Sequence, residues 1–171
     1  LPVTQLQCAP HGRNLLAGDP QHQPATGAVR DGQGAGIFQN RLDVTEHPYF
    51  EGIADLRVSA HFLIERDGTI TQFVSCLERA WHAGVSWFKG REGCNDFSLG
   101  IELEGTDDLP FTDAQYHALI ALTRQLQSTF TAITHSRIQG HSDIAPGRKT
   151  DPGPAFDWAR YRAALEKGEA Q

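Results

Sequence analysis

Between positions 140 and 153 the chain reads Gly140-His141-Ser142-Asp143-Ile144-Ala145-Pro146-Gly147-Arg148-Lys149-Thr150-Asp151-Pro152-Gly153, which sets an imidazole, an ammonium and a carboxylate among turn-forming residues. Proline and glycine at this density predict an irregular loop rather than a helix or strand. Such a loop can aim His141, Lys149 and Asp151 at one point, and a neutral imidazole beside a carboxylate is a donor pair suited to zinc. Taken in isolation, the commoner reading of such a set is a surface histidine next to a solvated Lys149/Asp151 charge pair. The rest of the chain decides between the two.

A second group that could do chemistry lies at 98–105, Ser-Leu-Gly-Ile-Glu-Leu-Glu-Gly. Its period of two predicts a strand with Leu99, Ile101 and Leu103 on one face and Gly100, Glu102 and Glu104 on the other. Carboxylates on an apolar strand are costly when buried unpaired, so they must meet water or a cation. Glu102, deeper in the run, is the one whose surroundings would raise its pKa into the range of a general base. The run Ala80-Trp81-His82-Ala83-Gly84 sets an aromatic and an imidazole among small residues that permit close backbone approach. Trp81 and His82 therefore either line a groove or, for the Trp, plug the edge of a core.

These residues need a scaffold, and the pattern supplies one. Residues 57–74 predict a hairpin: Val58, Ala60, Phe62 and Ile64 alternate with Ser59, His61, Leu63 and Glu65, and Arg66-Asp67-Gly68 forms the turn. His61 reads as a half-buried strand histidine with a hydrogen bond. Thr112-Asp113-Ala114-Gln115 is a capping box opening a helix, whose core stripe is Leu119, Leu122, Leu126 and Phe130. Ile138 leads by a short strand into the His141 loop, and Phe156-Asp157-Trp158 begins a last helix that packs Trp158, Tyr161 and Leu165 on the sheet. Residues 38–53, with Pro48 after His47, predict a loop or short helix beside a cleft. The expectation is an α/β or α+β domain with one central mixed sheet flanked by helices.

With 171 residues, 39% hydrophobic and 21% charged, the chain has the composition of one soluble globular domain. A net charge of -6 argues against nucleic acid as a partner, and no apolar run is long enough for a membrane span. No signal peptide is visible, and three cysteines without metal-type spacing suit a reducing cytoplasm. The expected form is a monomer.

Taken together, Val58-Ser59-Ala60-His61-Phe62, Ala80-Trp81-His82-Ala83-Gly84, the strand at 98–105 and the string at 140–153 resemble the zinc-dependent N-acetylmuramoyl-L-alanine amidases, and among them the cytoplasmic enzymes for 1,6-anhydro-N-acetylmuramyl-L-alanine. The resemblance runs from residue 37 to about residue 165. It implies a peptidoglycan-recognition-protein-like fold with zinc at the floor of a groove. His141 and Asp151 would then be zinc ligands, Glu102 the general base and acid, and Lys149 the group that stabilises the oxyanion. Trp81 and His82 would bind substrate, and Arg57 is a plausible partner for a substrate carboxylate by its charge. The implied partner is an anhydromuropeptide, cut between its lactyl group and L-alanine in peptidoglycan recycling.

One departure matters. The family requires a third ligand, a histidine ending a first core strand of the Ile-His-Asn-Ile-Ser kind, and no such run exists here. Its place holds Leu15-Leu16-Ala17-Gly18-Asp19-Pro20-Gln21-His22-Gln23-Pro24, with two prolines that a central strand rejects. Back-translating 16–34 with free wobble bases and regrouping from the second base of each codon admits Leu-Leu-Val-Ile-His-Asn-Ile-Ser-Leu-Pro-Pro-Gly-Gln-Phe-Gly in unbroken order. The missing histidine's codon straddles Pro20 and Gln21. We therefore read residues 1–36 as an irregular, out-of-frame segment and 37–171 as the amidase domain, with Leu1 as non-standard initiation or a fragment boundary. The nucleotide sequence of the gene tests this: shifted bases that fail to spell the strand would remove the idea. His22 lies near the vacated position, but its flanking prolines give it no strand.

Three functions follow as expectations. The first is a cytoplasmic zinc amidase, impaired here if the third ligand is missing. The second is a non-catalytic muropeptide-binding module, since a groove can survive loss of a ligand. The third is an extracellular endolysin-like amidase, against which the absent export signal and unpaired cysteines count.

Overall fold

The computed structural model describes residues 58–167 together with the backbone of one N-terminal strand, β1 (Val3–Cys8). That strand corrects the expectation of an irregular segment over 1–36, at least for these residues; 9–57, which hold Arg57, His22 and the region 38–53, lie outside those described. The signal was a short period-two run, Thr4, Leu6 and Cys8 alternating with Val3, Gln5 and Gln7, too poor in apolar residues to stand out. Its partners make it a strand. It lies in the middle of the sheet and satisfies backbone groups on both sides.

The chain continues with β2 (Phe62–Ile64) and β3 (Ile70–Gln72), a hairpin closed by Glu65 N–H to Thr69 O at 2.9 Å and Gly68 N–H to Glu65 O at 2.9 Å. The regular pairing is shorter than the alternation over 58–64 predicts. Next come the small ribbon β4 (Trp87–Phe88) and β5 (Arg91–Glu92), then β6 (Leu99–Glu104), helix α1 (Asp113–Thr129), β7 (Ile138–Gly140), the single turn α2 (His141–Ile144) and helix α3 (Trp158–Glu166). The main sheet runs β3-β2-β6-β1-β7. β2 is parallel to β6, whereas β1 is antiparallel to both β6 and β7, so the sheet is mixed as expected.

The two faces of β6 divide the molecule. Leu99, Ile101 and Leu103 are fully buried against α1 and α3, in a core with Phe62, Ile64, Leu119, Ile138 and Tyr161. Thr112 caps α1 by accepting from Gln115 N–H at 3.1 Å, while Gln115 returns a bond to Thr112 N–H. The fully buried Gln115 amide also donates to Glu104 O at 2.8 Å, which pins the start of α1 to the end of β6. Thr123 and the Tyr161 hydroxyl, 2.7 Å apart, join α1 to α3. The opposite face of β6 carries Gly100 and Glu102, and the candidate site is built there.

Candidate active site

His141 opens α2 rather than sitting in an irregular loop, which corrects the reading of 140–153. The turn forms because the Asp143 carboxylate accepts the Gly140 N–H at 2.8 Å, and Ala145 N–H closes it onto His141 O at 2.9 Å. Ser142 N–H then bonds Asp151 O at 2.9 Å and brings the returning chain alongside. As a result His141 Nδ1 lies 3.2 Å from Asp151 Oδ2, with the His ring buried and the carboxylate largely so. His141 Nε2 lies 3.0 Å from the Ala83 carbonyl. In the metal-free protein Nδ1–H donates to the Asp151 carboxylate; a metal held there would take the place of that proton, and an N–H on Nε2 donating to the Ala83 carbonyl would fix the ring.

The donor separation fits zinc as well. Two ligands bonded at about 2.0–2.1 Å to one tetrahedral ion lie about 3.3 Å apart, close to the Nδ1–Oδ2 distance seen here. Among the described residues no third His, Cys, Asp or Glu joins them. In β1 the residues paired with Glu102 and Gly100 are Gln5 and Gln7, while Cys8 pairs with Leu99 and Ile138 at the other parity.

Glu102 is buried on the same side of β6. Its ladder neighbours are the buried Leu63 of β2 and Gln5 of β1. Burial pushes its pKa well above the ordinary carboxyl value, the negative charge of Asp151 raises it further, and Lys149 partly opposes both. Burial would also raise Asp151, yet the hydrogen bond and charge of His141, a backbone hydrogen bond and Lys149 together hold it below its usual range. Two carboxyls with opposite shifts thus share one locus, one poised to hold a proton and the other kept ionised. The exposed Lys149 acts electrostatically on both.

Two more histidines stand behind this locus. His61 is fully buried; Gly100 N–H donates to its Nδ1 at 3.0 Å, so its Nε2–H donates to Glu78 O at 3.1 Å. It is therefore a satisfied strand-end histidine, more deeply buried than expected. His82 packs edge-on against it, centroids 5.4 Å apart, with Nε2 3.3 Å from Ser98 O. Gly100 is glycine for a steric reason: a Cβ there would lie 2.5 Å from the His82 ring. The Asn95 side-chain carbonyl accepts the N–H groups of both His82 (3.0 Å) and Ala83 (2.7 Å), an anchor that the reading of 80–84 missed because it comes from another turn. Trp81 is no core plug: it is 42% exposed, with the Arg79 guanidinium 3.7 Å over its ring.

The pKa of His61 is lowered from 6.5 to about 4, by burial above all, against a raising hydrogen bond to Glu78. The unfolded chain binds this proton and the folded one does not, so the stability is present above 6.5 and lost as pH falls toward 4. At about 1.4 kcal/mol per pH unit, acidification across that window costs about 3 kcal/mol through His61 alone. Denaturant unfolding of the wild-type chain and of His61→Gln between pH 4 and 7 checks this: the variant's stability curve should be flatter by that amount, and parallel curves would count against it.

Comparison with known proteins places this arrangement. A family profile described as N-acetylmuramoyl-L-alanine amidase, Amidase_2, matches residues 22–154. The chain belongs to this family. It is 61% identical over 129 residues to the 1,6-anhydro-N-acetylmuramyl-L-alanine amidase AmpD of Citrobacter freundii, covering 75% of this chain and 68% of that one. It is 60% identical over 131 residues to the Escherichia coli K12 protein of the same name, covering 77% and 71%. A crystal structure of a selenomethionine AmpD derivative superposes with a TM-score of 0.76 at 57% identity, over 81% of this chain and 77% of that one. The E. coli amidase AmiD, solved with the substrate anhydro-N-acetylmuramic acid-L-Ala-D-gamma-Glu-L-Lys, matches with a TM-score of 0.60 at 34% identity, over 68% and 51%. The fold is that of these amidases.

Proposed function

We propose that this amidase hydrolyses the amide between the lactyl group of 1,6-anhydro-N-acetylmuramic acid and the L-alanine of the stem peptide, as a zinc enzyme of peptidoglycan recycling in the cytoplasm. The observation that carries the reading is the convergence of His141 and Asp151 beside a buried, proton-holding Glu102. His141 and Asp151 would hold the zinc. Bound there, zinc polarises a carbonyl and lowers the pKa of water toward about 7. Glu102 takes the proton of the attacking water and delivers it to the leaving amine, the two-way task that an elevated carboxyl pKa suits. Lys149 sets positive charge where the tetrahedral oxyanion forms. Trp81, exposed beside the locus in sequence, offers an apolar face for substrate, and Arg57 is the proposed partner for a stem-peptide carboxylate. His82 serves the site from beneath Gly100. Among the described residues no helix is long and apolar enough to cross a membrane, which suits a soluble substrate.

The second reading, a muropeptide-binding module, is favoured by one observation: no third ligand among the described residues. Zinc stoichiometry on the purified chain, combined with hydrolysis of anhydromuropeptides, separates them. Zinc uptake with release of anhydro-N-acetylmuramic acid is the expected result. Binding of muropeptide without zinc or turnover would leave the module, and preferential attack on intact sacculi would instead indicate an endolysin-like enzyme.

A further inference from the structure

We propose that Arg148 is a positioning residue: its guanidinium holds the carbonyls of the turn at 83–85 and, through Ala83, sets the orientation of the His141 ring. The role rests on the metal-site reading above and extends it to a residue outside the ligands.

The geometry is a closed loop of contacts. Arg148 Nε–H donates to Val85 O at 3.0 Å, and its terminal Nη2 donates to Val85 O at 2.8 Å and to Ala83 O at 2.6 Å. The guanidinium lies flat across the turn, where Gly84, at a φ of +58°, leaves room that a Cβ would narrow to 3.3 Å. Ala83 O thus accepts from Arg148 on one lone pair and from His141 Nε2 at 3.0 Å on the other. Nη2 and Nε2 stand 3.2 Å apart because both turn toward this one carbonyl. The Ala83 peptide is gripped from its other end by Asn95. Arg148 is itself held by the site it serves: its N–H and that of Lys149 both bond Ala145 O at 3.1 Å, and Ala145 N–H bonds His141 O.

A guanidinium suits this task and an ammonium does not. Two carbonyls are reached at once by a planar fork with fixed donor directions, which a single rotating point charge cannot reproduce. Arg148 is also largely exposed, so its removal subtracts no core packing. It is then an orienting device for one buried imidazole rather than a general stabiliser.

The test uses the metal-free chain and the ring resonances of its histidines by NMR. Wild type should show His141 in one ring orientation. Arg148→Met should populate a second one about 2- to 10-fold more than wild type does, the weight of one lost hydrogen bond. His61 and His82 in the same spectra report whether the fold is intact and should not move. Arg148→Lys should resemble Arg148→Met. An unchanged His141 in Arg148→Met would overturn the proposal, and full recovery in Arg148→Lys would reduce Arg148 to a point charge and overturn the fork argument. Zinc uptake by the wild-type chain is measured separately, so failure of the metal-site reading and failure of this inference give different results.

Discussion

Replacing Glu102 by Gln should lower anhydromuropeptide hydrolysis by about 10²- to 10⁴-fold in kcat/KM while making the metal-free protein more stable above neutral pH. Both effects come from one property of the site. Glu102 is buried beside Leu63 and near the ionised Asp151, so its folded pKa lies well above its unfolded one. Proton transfer by a positioned carboxyl is worth about 10²–10⁴ in rate, and an amide of the same shape cannot take part. The sign of the stability effect follows from linkage. A carboxyl raised in the fold contributes stability that is complete below its unfolded pKa and is lost as pH rises through the folded value. Gln carries no charge at any pH, so the variant escapes that loss. Its advantage over wild type should vanish near pH 4.5 and grow upward from there. Thermal unfolding of both metal-free proteins across pH 4 to 9, with product release followed by mass spectrometry, reads both halves. A variant that keeps its activity removes Glu102 from the chemistry. One that gains no stability at high pH removes the burial argument instead.

The parts of the fold and site legible in the sequence are those where local pattern and tertiary demand agree. The Thr112/Gln115 capping box appears where the motif places it, because both bonds are made within one turn. The alternation over 99–104 sorts Leu99, Ile101 and Leu103 from Glu102 correctly, because successive strand side chains must point to opposite faces, the first three into the apolar core and Glu102 into the site. Asp157 caps the last helix by accepting Arg160 N–H at 2.9 Å, again a local contact. The misreadings have the opposite character. Val3–Cys8 is a strand by virtue of neighbours far along the chain, Leu99–Glu104 and Ile138–Gly140. The turn at His141 depends on a carboxylate cap in a stretch whose prolines and glycines argue for loop. Asn95 and Arg148 act on backbone groups 12 and 65 positions distant. Backbone carbonyls and amides leave no trace in a sequence, so the residues that hold them are not readable as a motif.

The same competition between local pattern and long-range pairing governs what should follow from restoring the shifted reading. In a chain whose residues 16–30 carry Leu-Leu-Val-Ile-His-Asn-Ile-Ser-Leu-Pro-Pro-Gly-Gln-Phe-Gly, zinc should bind at least about 100-fold more tightly than in the present one. Losing a partner that merely orients a ligand costs about 10–100-fold, and a direct ligand held on a strand contributes at least as much. The new segment must also find a place in the sheet. The position between β6 and β7 is now taken by Val3–Cys8, and only one strand fits there. The restored run is the stronger claimant, because Leu-Leu-Val-Ile is continuous and apolar and ends in two β-branched residues, as suits a strand buried on both faces, whereas Val3–Cys8 presents Thr4, Gln5 and Gln7 among its six residues. Burial of the extra apolar side chains, at about 1.5–3 kcal/mol each when complete, decides the exchange. Backbone amides of Val3–Cys8, which pairing with β6 and β7 should protect from hydrogen exchange in the present chain, should therefore lose protection in the restored one as zinc affinity rises. Tighter zinc with β1 still protected would place the third ligand elsewhere than on a central strand, and unchanged zinc affinity would detach the missing histidine from this stretch altogether.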